Sequence, residues 1–261
     1  MRRMTAASML IVAALLSFSF VPSASAGTTP SAAGACVTSD LNGNCGPYNY
    51  PAMSLSNGYN TYVGNDGWAC GHPGDCGPQT LTVNDPGHWN VVSNQRAGNT
   101  GVLTYPNVSQ VYTDTSNVNP LVSSYKYISS SYQESMPAVT GLDAEAGYDI
   151  WLSSTNGPNE VMIWVDNVGR GTGGARHIGT ATIAGVKFDV LEYGTGEVIF
   201  SLPHNLPAGS VHILWTLHWL QWHGLVSKTA RVGQIDFGWE ICSTGGKPAK
   251  FTMSRYTLHS A

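Results

Sequence analysis

The chain has 261 residues and a formal charge of −4, and only 11% of its residues are charged, against about 25% in ordinary globular domains. Hydrophobic residues make up 42%, the opposite of the balance that keeps a chain disordered. A Lys-poor, net acidic chain also lacks the footprint for a phosphate backbone or an anionic lipid surface. Neither nucleic acid nor a membrane is therefore an expected partner. What remains is a neutral surface rich in Trp and Tyr, suited to an uncharged polar ligand.

In chain order, residues 1–26 read as a secretory signal peptide. Arg2 and Arg3 form a basic start, residues 6–21 a mostly apolar stretch, and Ala24-Ser25-Ala26 a small-residue cleavage site. The apolar stretch is too short to span a bilayer. Residues 27–261 are then one all-β domain of ordinary size, expected outside the cell, where disulfides persist. The short spacings suggest bridges Cys36–Cys45 and Cys70–Cys76, with Cys242 left over. No C-x-x-C pair occurs, so neither a zinc site nor any other cofactor is expected.

From about residue 46 to 205, short β-branched and aromatic runs are cut by Gly, Pro and Asn. Strands are expected at 59–63, 79–83, 101–105, 110–113, 125–132, 147–153, 159–165, 181–183, 186–193 and 198–202. Many short strands separated by turn signals indicate a sandwich, jelly roll or barrel. One segment breaks the rhythm. Ser210 can cap a helix of about 13 residues, Val211, Leu214, Trp215 and His218 follow at helical spacing, and Gly224 is a stop. Such a helix is expected on the outer, convex side of one sheet. Two more strands, 233–241 and 251–258, follow it.

No G-x-S-x-G elbow, P-loop, dinucleotide fingerprint or H-E-x-x-H motif is present. The hairpin around Asn156-Gly157-Pro158 carries more information. Side chains alternate along a strand, so Val161, Ile163 and Val165 form a core face, and Glu160, Met162 and Trp164 share the other. A carboxylate beside a thioether and an indole suits the wall of a sugar-binding cleft. If Glu160 pairs opposite Asp149, or slips by two residues, both acids point to that face. In the strand at 233–241, Asp236, Gly238 and Glu240 oppose Ile235, Phe237, Trp239 and Ile241. Gly238 beside Glu240 reads as a device that keeps the face open to substrate. Two glutamates on separate strands are what a glycosidase needs, one to attack the anomeric carbon and one to exchange the proton.

These residues resemble glycoside hydrolase family 12. Asn159-Glu160-Val161-Met162-Ile163-Trp164 resembles its nucleophile strand, and Gly238-Trp239-Glu240-Ile241 its acid/base strand. Asn65-Asp66-Gly67-Trp68 resembles its Asn-Asn-x-Trp aromatic platform, Tyr105-Pro106-Asn107 its Tyr-Pro-Asn strand, and Tyr148-Asp149-Ile150 its Tyr-Asp strand. Two departures stand out: Asp66 replaces the usual Asn, and Ile241-Cys242 follows Glu240 where many members carry Pro and an aromatic residue.

The resemblance implies a β-jelly roll, a concanavalin-like sandwich of two curved antiparallel sheets with one packed helix and a cleft across the concave sheet. It implies a monomeric, secreted endo-hydrolase that cleaves β-1,4-glucan polysaccharide with retention of configuration. Glu160 is then the nucleophile, Glu240 the acid/base and Asp149 the supporting carboxylate, while Trp68, Asn65, Met162 and Trp164 meet the sugar chain. The acidic composition points to an optimum below neutrality. Two alternatives share the scaffold: an endo-xylanase of related jelly-roll design, and a non-catalytic glycan-binding protein.

Overall fold

The computed structural model describes residues 35–48, 61–112, 119–153, 159–194 and 196–261. The expected signal segment 1–26, the turn at 156–158 and residues 59–60 lie outside these described residues. Strands run in the order β1 (Cys36–Thr38), β2 (Asn44–Tyr48), β3 (Thr61–Gly64), β4 (Gln79–Asp85) and β5 (His88–Ser93). Then come β6 (Asn107–Val111), β7 (Ile128–Ser135), β8 (Leu142–Ser153), β9 (Glu160–Val168) and β10 (Arg176–Ile183). The last are β11 (Val186–Tyr193), β12 (Glu197–Ser201), β13 (Ala208–Val211), β14 (Arg231–Thr244) and β15 (Ala249–Ser260), with helix α1 (Ile213–Trp222) between β13 and β14.

Among the described residues the strands form a six-stranded sheet, β1-β4-β5-β15-β7-β13, and a nine-stranded sheet, β10-β11-β12-β9-β8-β14-β6-β3-β2. The jelly-roll sandwich expected from the sequence is the observed architecture. Among the described residues, one pairing between named strands is not antiparallel. The β9 and β12 strands run parallel, with Glu160 opposite Glu197 and Trp164 opposite Ser201.

The interior follows from the period-2 alternation of the long strands. Val161, Ile163 and Val165 of β9, Tyr148 and Ile150 of β8, and Ile235, Phe237, Trp239 and Ile241 of β14 are all buried between the sheets. Phe237 lies 4.4 Å from Tyr148, centroid to centroid, and Trp89 of the facing sheet meets Trp239 edge-on at 4.8 Å. Each such side chain contributes roughly 1.5–3 kcal/mol on burial. The Trp239 indole N–H keeps a partner by donating across the interior to Glu134 Oε2 on β7, at 2.8 Å. The complementary positions of these strands therefore all project from the other face of the nine-stranded sheet.

The helix is shorter than expected. Ser210 belongs to β13, opposite Ser131 of β7, so its backbone serves the sheet and His212 stands at the helix start without a side-chain cap. Ile213, Leu214, Leu217 and Leu220 join the same core cluster as both sheets, Trp219 packs edge-on against Phe200 of β12, and α1 touches β7 and β10. Phe200 pairs with Ile163 on the core face, so the helix lies on the convex side of the nine-stranded sheet, opposite the cleft, and also reaches β7 of the facing sheet. Both expected disulfides, Cys36–Cys45 and Cys70–Cys76, are formed, and Cys242 is a buried free thiol. The segment expected as a strand at 101–105 contributes one isolated bridge, Thr104 to Ile241.

Candidate active site

The site is built on three adjacent strands, β9, β8 and β14. In the β8–β9 ladder Trp151 pairs with Glu160 and Asp149 with Met162, a slip of two residues that puts Asp149 on the Glu160 face. In the β8–β14 ladder Asp149 pairs with Asp236 and Glu145 with Glu240. The parallel partner β12 adds Glu197 beside Glu160. One concave face thus gathers carboxylates from four strands.

Two contiguous cavities open on this face, of about 250 and 350 Å³. Glu160, Glu240, Trp68 and Val102 border both, so the glutamates stand where the two halves of one cleft meet. Trp68 is 65% exposed, an indole plane open to a ligand. The first half continues past Asp66, Asp149, Trp151 and Asp236. The second runs past Trp164, Glu197, Ile199 and a glycine-rich loop holding Arg170.

Not every expected residue reaches the cleft. Asn65 is fully buried and its side chain is spent on structure. Its amide donates to the Thr38 and Asp40 carbonyls, and its side-chain oxygen accepts from Gln79 Nε2. The neighbouring Asp66, held at φ 37°, takes the cleft-facing place. Met162 packs beneath the surface with Trp164, Leu191 and Ile199 as a small apolar floor. Gly238 has a different reason from the expected one. A Cβ there would stand 2.0 Å from the Pro106 carbonyl and 2.7 Å from Asn107 Cα, so glycine answers the close approach of the β6 backbone, not the approach of substrate.

Crowding and burial set the proton affinities. Burial first, then the negative charges of Glu197 and Glu240, push the Glu160 carboxyl up to about 7. Burial, and Glu240 after it, push Glu197 to about 7 as well, with Arg170 opposing. Burial also carries Asp236 to about 7, partly offset by hydrogen bonds with Ser109 and Gln234. Asp149 rises well above the usual carboxylate range through burial and then through Asp236, Glu160, Glu240 and Glu197. Its Oδ1 is buried with no hydrogen-bond partner among the described residues, so a protonated Asp149 has a free hydrogen-bonding site in the cleft.

Glu240 is held by a cation that the sequence reading missed. Arg170 Nη2 donates to Glu240 Oε2 at 3.0 Å, Nη1 reaches the Thr100 carbonyl at 3.2 Å and Cys242 Sγ at 2.9 Å, and Nε lies 2.8 Å from Glu145 Oε2. Its guanidinium sits 5.8 Å from the Trp164 ring centroid. Burial pushes the Cys242 thiol up to about 12, Arg170 opposing, which leaves it a weak nucleophile. Arg170 lies in a loop among glycines, where no periodicity marks it. Glu197 is invisible without the parallel pairing. Glu145 could have been found by extending the β8 alternation back from Asp149.

No family model matches the chain, and no curated protein does either. Solved structures do. The xyloglucanase domain of NopAA, a type three effector from Sinorhizobium fredii, solved with cellobiose, is 22% identical at a TM-score of 0.66, over 87% of this chain and 99% of that one. A family 12 xyloglucanase from Bacillus licheniformis is 20% identical at a TM-score of 0.67, over 87% and 100% of the two chains. Endoglucanase 3 of Trichoderma harzianum, from family GH12, is 20% identical at a TM-score of 0.71, over 88% and 100%. The chain therefore has the jelly-roll fold of the family 12 glycoside hydrolases.

Proposed function

We propose that the chain is a secreted, retaining endo-β-1,4-glucan hydrolase of family 12, cleaving cellulose-type, mixed-linkage glucan or xyloglucan chains. The observation that carries this reading is the placement of Glu160 and Glu240, from separate strands, on the border of both halves of one cleft. The exposed Trp68 plane in that cleft suits a sugar ring, and similar folds bear the names xyloglucanase and endoglucanase. On the same reading, residues 1–26 are removed on export and residues 27–261 are a monomeric catalytic domain.

In the first step ionised Glu160 attacks the anomeric carbon while protonated Glu240 gives its proton to the leaving oxygen. The bond to the leaving sugar breaks as the ester to Glu160 forms. In the second step Glu240 takes a proton from water, water displaces Glu160, and both groups return to their first state. Asp149, protonated by its buried position and on the Glu160 face of the cleft, is the supporting carboxyl, its Oδ1, unpartnered among the described residues, available to the Glu160 carboxylate. Trp68 stacks on a sugar ring, and Trp164 with Met162 forms the floor under the second half of the cleft. Because Glu160 ionises near 7, activity rises toward neutrality, above the acidic optimum that composition alone suggested.

Glu160→Ala and Glu240→Ala, assayed by reducing-sugar release from barley glucan, xyloglucan, carboxymethylcellulose and xylan, test the reading. Loss of about 10³-fold or more in each variant, on glucans but with no wild-type action on xylan, is expected. Undiminished hydrolysis in either variant removes that glutamate from the mechanism, and wild-type action on xylan alone replaces the substrate.

A further inference from the structure

Arg170 poses a chemical problem for the mechanism. A guanidinium bonds Glu240 Oε2 at 3.0 Å, a fixed positive charge against the very oxygen pair that must hand a proton to the leaving group. The remaining contacts of that guanidinium answer the problem. Arg170 Nε stands 2.8 Å from Oε2 of Glu145, a wholly buried carboxyl that pairs directly opposite Glu240 across the β8–β14 ladder. Side chains directly opposite on one face are close enough to share a hydrogen bond.

We propose that Glu145 and Glu240 share a single proton, with Arg170 offsetting the charge that remains when it leaves, so that Glu145 and Arg170 are positioning residues for the acid/base; this rests on the glycosidase reading above. With one proton on the pair, the three groups are neutral together. When Glu240 gives its proton to the leaving oxygen, both carboxylates are ionised and Arg170 balances one of them. The other negative charge replaces the one that Glu160 loses on forming its ester, so the charge of the cleft is unchanged. Water then returns a proton to the pair in the second step. Burial favours the proton on Glu145 while the site is idle, and Glu240 repels a second charge there. The pair therefore holds its proton as a unit.

The other groups around Glu240 do not duplicate this arrangement. Cys242 on its own strand contacts Arg170 as a buried thiol. Asp143 of β8 acts on Arg170 and Cys242. Glu160 of β9, Glu197 of β12, Asp149 of β8 and the buried Tyr105 feel the Glu240 charge across the cleft. Among these the Arg170–Glu145 contact supplies the cation and the second carboxyl together.

The test is the alkaline limb of kcat/KM on a soluble β-glucan, which reports loss of the acid's proton. Glu145→Gln leaves Arg170 facing Glu240 alone, and the limb moves to lower pH by about 1–2 units. Arg170→Gln leaves two carboxyls with no cation, and the limb moves to higher pH by a similar amount. The double variant lies between them, and Arg170→Lys, which keeps the charge, stays within a few tenths of a unit of wild type. If Arg170→Gln does not fold, Arg170→Lys and Glu145→Gln still decide the matter. An unmoved limb in Glu145→Gln, or a shift of both variants in one direction, overturns the shared proton. A wild-type protein that hydrolyses no glucan overturns the underlying function instead.

Discussion

On the proposed mechanism, replacing Glu197 by Gln should lower the pH at which hydrolysis sets in. Glu197 pairs with Glu160 across the parallel β9–β12 ladder, where strands stand about 4.8 Å apart. Two unit charges about 5 Å apart repel by about 3 kcal/mol at an effective dielectric of 20 and by under 1 kcal/mol in water. Both side chains are partly exposed, so a value near 1.4 kcal/mol applies, or about one pK unit for the neighbour. Removing the Glu197 charge stabilises ionised Glu160, and the acidic limb of kcat/KM, expected near 7, moves down by about one unit. Gln keeps the size of the side chain, so the cavity wall that Glu197 shares with Ile199 and Arg170 keeps its shape. Initial rates of reducing-sugar release between pH 4 and 9 measure the limb. A limb that stays in place, or moves upward, refutes both the repulsion and the role of Glu160 as the group that must ionise.

Two further outcomes follow from the same geometry. Glu134, pushed up to about 8 chiefly by burial, and Asp236, pushed to about 7 by the same cause, hold their protons more tightly folded than unfolded. Raised carboxyls contribute stability that is complete below about pH 4 and is lost as pH rises through their folded values. Thermal melts at pH 5 and pH 8 should therefore differ by roughly 5–10 °C, the acidic sample melting higher; a higher melting temperature at pH 8 contradicts those protonation states. Gly238→Ala forces a methyl group against the Pro106 carbonyl and should cost about 2–3 kcal/mol in denaturant unfolding. A stable variant with a raised KM would return that glycine to the role of opening the face to substrate.

The strands that carry the chemistry were legible because each has one apolar face. The alternation Val161-x-Ile163-x-Val165 and Ile235-x-Phe237-x-Trp239-x-Ile241 determines which side is core, and the glutamates fall on the other side without further information. The two short disulfides followed from spacing in the same way. What escaped depends on non-local pairing. The parallel contact between β9 and β12 places Glu197, and nothing local encodes it. Asn65 and Asp66 are neighbours with similar side chains, and only the non-local carbonyls of Thr38 and Asp40, which need a donor, and the Gln79 amide decide which is consumed by the framework. Ser210 is a sound helix cap by residue type, but the β7 edge claims its backbone first. Arg170 lies in a loop, where residue order carries no facing information at all.

The central claim is that Glu160 forms a covalent bond to the sugar. A 2-deoxy-2-fluoro cellobioside with a good leaving group slows the second step and leaves the glycosyl-enzyme to accumulate. Mass spectrometry of the intact protein and of its peptides then locates the sugar. The account predicts one fluorocellobiosyl group per chain, attached to Glu160 and absent from Glu160→Ala. A label on Glu197 instead, or turnover with no label at all, would contradict it.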